Sequence, residues 1–97
     1  MLALTPNSCF ELEEDILLQA LPELDHYYAF NTKDGDNFKL NHTAYWTLSA
    51  IVEGVNYPTL LKGYSKEYCL DNKDAEEDLR EVLQYAIENK IIKEVKP

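Results

Sequence analysis

Residues 36–46, DNFKLNHTAYW, form a short strand pattern that runs into a helix pattern with no linker between them. Across residues 37–41 polar and apolar side chains alternate, so Phe38 and Leu40 share one face while Asn37, Lys39 and Asn41 share the other. Asn41 is placed to cap the helix, its side-chain oxygen accepting a backbone N–H that the first turn leaves without a partner. A strand with one apolar face, held at its end by a helix, must lie on a core. What pairs with its two edges then decides what the chain can do.

One neighbour is supplied from upstream. Residues 26–31, HYYAFN, are rich in aromatic β-formers, and residues 32–36 contain an Asp-Gly pair that supplies the positive φ of a hairpin turn. Further upstream, Cys9 to Glu13 alternates and Ile16, Leu17, Leu18 and Leu21 follow before Pro22, which predicts one strand interrupted or bent near Glu14 and Asp15, with a short helix as the rival reading. Residues 1–8 read as an N-terminal loop, with Pro6, Asn7 and Ser8 as its turn residues.

Three helices follow. The first, residues 42–53, carries Ala44, Leu48, Ile51 and Val52 on one stripe widened by Tyr45 and Trp46, and stops at Gly54. The second, residues 58–68, has Pro58 in its first turn and is weakened by Gly63. The third starts near Lys73 or Asp74 with Asn72 as its cap, and Ala75, Leu79, Val82, Leu83, Ala86 and Ile87 give it the strongest helical period in the chain. Its first turns hold Asp74, Glu76, Glu77 and Asp78, where the helix dipole favours negative charge. Asn89 is expected as a left-handed terminal residue, and Ile91, Ile92 and Val95 as a short strand or an apolar tail. The fold class is therefore α+β, a winged helix-turn-helix with an N-terminal three-stranded antiparallel sheet followed by three helices, in a single domain with its core over about residues 9–95.

Leu40-Asn41 entering a helix, the Glu53-Gly54 turn, Leu60-Leu61 in the second helix and the Ile91-Ile92 pair after the third resemble the PqqD-like family. Its members are small winged helices also called RiPP precursor peptide recognition elements (RRE). The resemblance spans residues 26–95, about three quarters of the chain. Two departures stand out: Asn89-Lys90 occupies a place where the family usually has Gly, and Glu13, Glu14 and Asp15 form an unusually long acidic stretch. The resemblance implies a non-catalytic protein without a cofactor. Such a protein binds the leader of a ribosomally made precursor peptide as an extra strand and presents it to a radical SAM enzyme, a cyclodehydratase or a leader protease.

The residues themselves point to a compatible surface. An edge strand offers N–H and C=O groups at regular spacing to an incoming extended peptide, whose alternate side chains enter pockets. Asn37, Phe38, Lys39, Leu40 and Asn41 are the candidate edge, with Phe38 and Leu40 as floor or pocket residues and Lys39 either contacting an acidic peptide residue or simply discouraging aggregation. On the third helix Asp78, Val82, Tyr85 and Asn89 lie along a flank offset from the core stripe, and the amphipathic ring of Tyr85 is suited either to wall a groove or to cover the edge of the core. An exposed edge also permits self-pairing, so a monomer or a weak homodimer is expected.

Other chemistry finds less support. The net charge is −9, with residues 1–36 holding eight acids against Lys33 alone. The third helix carries six acids against Arg80, the reverse of a DNA-recognition helix, so a DNA-binding regulator is the weaker alternative and an interaction adaptor of another kind the stronger one. His26 and His42 lack a nucleophile or carboxylate at a motif spacing, so no catalytic residue is assigned. Cys9 and Cys69 lack metal-site spacing and read as reduced thiols, and Asp34-Gly35-Asp36 lacks the rest of a calcium loop, so no metal is expected. No signal peptide or membrane-spanning run is apparent, which suggests a cytoplasmic protein.

Overall fold

The computed structural model describes Leu4 and residues 8–95. The N-terminal loop expected over residues 1–8 falls, apart from Leu4 and Ser8, outside the described residues. The elements run β1 (Cys9–Leu12), β2 (Ile16–Leu21), a 3-10 turn (Pro22–Leu24), β3 (His26–Asn31), β4 (Asn37–Leu40), α1 (His42–Val52), α2 (Tyr57–Glu67), α3 (Asn72–Glu88) and β5 (Ile92–Val95). β2, β3 and β4 form a three-stranded antiparallel sheet, while β1 and β5 pair in a separate antiparallel ribbon.

The segment expected as one bent strand is thus two strands in two sheets. Leu12 is still opposite Ile92, and the Glu13 N–H still reaches the Ile91 carbonyl, so β1 follows the end of the chain. The chain then turns, Ile16 N–H donating to the Glu13 carbonyl, and the Asp15 carbonyl already accepts from Thr32 beside β3. The acidic residues 13–15 are the bend itself, and Lys93 of β5 answers part of their charge, lying 3.2 Å from Glu11 and 3.8 Å from Glu13. The apolar residues after α3 are accordingly a strand.

Helix ends follow their caps. Asn41 is the sole residue between β4 and α1; its Oδ1 accepts from Ala44 N–H at 2.8 Å, as expected. α2 is capped by Asn56 and begins at Tyr57, one residue earlier than expected. α3 is capped by Asp71, whose carboxylate accepts from Asp74 N–H at 2.8 Å, so Asn72 is the first helical residue rather than the cap. At the other end of α3, Asn89 has φ −95° and it is Lys90, at φ 58°, that is left-handed. Lys90 N–H reaches the Ile87 carbonyl and Ile91 N–H the Ala86 carbonyl, which places the left-handed residue one step later than expected. Lys90 thereby occupies, with an ordinary side chain, a conformation that suits glycine.

Leu79, Leu83, Ala75 and Ala86 of α3 are buried together with Leu48 and Ile51 of α1, Leu60 and Tyr64 of α2, Ile91, Ile92, and the inward residues Ile16, Ala29 and Leu40 of the sheet. Removing a side chain such as Leu83 from this core should cost about 2–5 kcal/mol. Gly63, a weak point by helix propensity, lies where α2 meets Trp46: a Cβ there would sit 3.3 Å from Trp46 Cη2. Close packing of two helices explains the residue.

Candidate functional site

Register fixes which backbone groups the sheet leaves open. Asn31 N–H donates to the Asp36 carbonyl at 2.8 Å, and Ala29 and Tyr27 stand opposite Phe38 and Leu40 in the same ladder. In an antiparallel pair, residues alternate between exchanging bonds with the partner and pointing their N–H and C=O away from it. Phe38 and Leu40 therefore bond β3, and the backbone groups of Asn37 and Lys39 point to the outer edge. Among the described residues no strand pairs there.

Beside that edge lies a groove of about 320 Å3 lined by Lys39, Leu40, Asn41, Ala44, Glu81, Val82 and Tyr85. Leu40 is its buried floor, Val82 is half-buried and Tyr85 forms an exposed wall, 42% accessible. A second recess of about 480 Å3 shares Glu81 and Tyr85 but is lined by α3 residues only, so it is an open helix face that continues the groove outward past Arg80 and Gln84. Asn41 limits the groove at one end: its carbonyl accepts from Tyr45 N–H and its side chain is engaged by Ala44 and Thr43.

Of the residues singled out in the sequence, Lys39, Leu40, Val82 and Tyr85 converge on this groove. Asn37 lies on the exposed face of the edge, and Phe38 packs its ring against the core from the opposite face. Asp78 is not part of the lining; one turn before Val82 it faces α2 and accepts from the Tyr64 hydroxyl at 3.4 Å. Ala44 and Glu81 were missed, although Glu81 is four residues before Tyr85 and on the same flank.

Also absent from the sequence reading is an aromatic cluster that fastens α1 to β3 and α2. The rings of Tyr27 and Tyr45 are 4.8 Å apart, those of Tyr64 and Tyr68 4.8 Å, and Trp46 meets Tyr64 edge-on at 5.7 Å. His42, first residue of α1, shares a 2.6 Å hydrogen bond between Nδ1 and the Tyr68 hydroxyl. Burial pushes the Tyr68 hydroxyl up to about 12, with the neighbouring Tyr64 and Glu67 adding to the shift. Tyr64 is also raised, first by burial. The cluster immobilises the start of α1 and, through Asn41, the end of β4.

Among the described residues no group of three or more His, Cys, Asp and Glu side chains is arranged to hold a metal ion, and no helix is long and apolar enough to cross a membrane. Cys9 and Cys69 are free thiols.

No protein-family model matches the chain, and no curated protein matches it. Solved structures do. TbiB1, determined in complex with the TbiA(beta) leader peptide, superposes with a TM-score of 0.76 at 18% identity, over 86% of this chain and 94% of that one. The chain shares the fold of that protein. A lasso peptide synthetase B1, complexed with the leader peptide, superposes with a TM-score of 0.75 at 20% identity, over 87% of this chain and 96% of that one. The winged-helix arrangement expected from the sequence resemblance is thus the arrangement found, with the β1–β5 ribbon added to it.

Proposed function

We propose that this protein recognises the leader of a ribosomally synthesised precursor peptide and delivers it, without catalysis of its own, to a modifying enzyme or leader protease. The leader adds to β4 as a fourth strand, bonded to the outward N–H and C=O groups of Asn37 and Lys39, with alternate side chains directed into the groove walled by Val82 and Tyr85. The observation that carries this reading is the coincidence of an open backbone edge along β4 and a half-apolar groove that starts at its last two residues, Lys39 and Leu40. That two proteins of the same fold were determined with leader peptides supports it. Asp78, turned toward Tyr64, serves the α2–α3 contact in this reading, and Glu81 takes its place beside the peptide. The acids of α3 argue against duplex DNA as the ligand, because a phosphate backbone would meet like charge.

Titrating a precursor leader into isotope-labelled protein tests the proposal. The amides of Asn37, Lys39, Glu81, Val82 and Tyr85 should shift in a saturable manner. Saturable binding that leaves all of them unmoved would overturn it.

A further inference from the structure

The sheet has a second open edge, and it is less protected than the first. We propose that β2 is a docking edge for an extended, lysine- or arginine-bearing segment of a second protein, distinct from the peptide on β4. Because the Asp15 carbonyl accepts from Thr32, the alternation along β2 points the N–H and C=O of Leu18 and Ala20 away from β3. Among the described residues no strand pairs with them. Beside them lies a groove of about 370 Å3 lined by Leu12, Ile16, Leu17 and Leu18 on the strand side and by Tyr45, Ser49, Val52 and Glu53 of α1. Leu17 and Val52, on its rim, are each 59% exposed.

Edge strands in soluble proteins are usually blunted by a lysine, a proline, a bulge or short length. β4 has four residues and Lys39, whereas β2 has six, ILLQAL, with no charge among them. Its charges stand at its ends and are all acidic: Glu14 and Asp15 before it, Glu23 after it, and Glu53 across the groove. Among the described residues none of these four makes a direct ion pair: Lys93 bridges Glu11 and Glu13, and with Lys90 it borders the recess beside Glu14 and Asp15, while no lysine or arginine lines the groove at Glu53. This pattern selects the occupant. A second copy pairing antiparallel, with Ile16 opposite Leu21, would set Glu14 against Glu23, and parallel pairing would set each acid against itself. A basic strand meets an open backbone, two apolar flanks in Leu17 and Leu18, and complementary charge at both ends.

The test uses a short probe peptide alternating valine and threonine with paired lysines at both ends, and a counterpart with glutamates in place of the lysines. Titrated into the labelled full chain, the basic probe should shift the Leu18, Ala20, Ser49 and Val52 amides and bind about tenfold tighter than the acidic one, with the difference shrinking as salt is raised. Ala20→Pro, which removes an outward donor, and Val52→Lys, an exposed change that leaves the core intact, should each weaken the basic probe about tenfold. Lys39→Pro, which disables the β4 edge, should leave it unchanged, and this separates the inference from the leader proposal. Equal binding of the two probes, shifts that disappear with Lys39→Pro, or self-association through β2 in sedimentation would each overturn it.

Discussion

Lys39→Pro isolates the backbone contribution to the proposed peptide binding. The N–H of Lys39 points away from β3, and the β3 ladder runs through Phe38 and Leu40. Proline at position 39 therefore removes a donor that the folded protein does not use, and its φ near −65° lies within the extended range. Asn37 and Lys39 together offer two donors and two acceptors to an added strand. A net backbone hydrogen bond is worth about 0.5–1.5 kcal/mol, and a peptide carbonyl left facing the proline ring without a partner costs about 1–3 kcal/mol. The expected loss is therefore about 1–3 kcal/mol, or roughly 5- to 150-fold in Kd. Lys39→Ala, which keeps the N–H and deletes the charge, should lose at most about fivefold, as an exposed ion pair does. Phe38→Pro, by contrast, breaks the β3 ladder and should unfold the hairpin. Calorimetric titration with a leader gives the affinities, and circular dichroism shows that the position 39 variants are folded. Strand addition is refuted if folded Lys39→Pro binds within twofold of the parent, or if Lys39→Ala loses as much as Lys39→Pro.

Four further outcomes follow from the same geometry. Tyr85→Ala should weaken the leader about tenfold, since part of an aromatic ring's apolar area is lost, while leaving the melting temperature within a degree or two because the ring lies outside the core. Lys90→Gly should raise stability by roughly 0.5–1 kcal/mol in denaturant unfolding, the relief of a left-handed lysine outweighing the greater freedom of unfolded glycine. Asn41→Ala should cost about 1 kcal/mol by the same measurement, through loss of the cap on α1. Alkaline pH should destabilise the fold: the unfolded chain ionises Tyr68 near its ordinary 10 while the folded one holds the proton to about 12, so this contribution is complete below pH 10 and is lost as pH rises from 10 to 12. Tyrosinate absorbance and melting temperature across that window report it, and Tyr68→Phe should flatten the fall.

What the sequence revealed was local or strictly periodic. The hairpin was legible because Asp34-Gly35 breaks two β-forming runs, and α3 because its apolar residues keep one stripe over four turns. The pairing of β1 with β5 was not, because it joins the two ends of the chain and no pattern within residues 9–21 distinguishes a bent strand from two strands in different sheets. Asp71 and Asn72 are both good caps, and only the backbone decides between them. At the end of α3, the preference of asparagine for the left-handed region was overridden by Ile91, which enters the core and fixes the turn one residue later, at Lys90. The groove was partly legible because Val82 and Tyr85 share a flank. Asp78 shares that flank too, but one turn earlier the same side of the helix meets α2, and sequence spacing alone carries no information about where along a helix its neighbour changes.

The absence of a linker between β4 and α1 limits what the edge can read. At Asn41 the carbonyl belongs to Tyr45 and the side chain to Ala44 and Thr43, so backbone pairing with an added strand ends there. At the other end, the next residue in the outward set is Gly35, whose N–H is already taken by the Asn31 carbonyl, so pairing does not extend into the turn. The groups of Asn37 and Lys39 and the N–H of Asn41 remain, and a ladder this short supplies a few kcal/mol at most, less than association itself requires. In the proposed mode most of the affinity must then come from side chains that reach past the edge to Leu40, Val82 and Tyr85. A bound peptide should accordingly tolerate substitutions at positions facing outward over Asn37 and Lys39, and lose binding when an apolar residue facing the groove is replaced by a charged one. A scan of the leader in which the outward positions proved the more sensitive would place recognition on the outer sheet face and not in the groove.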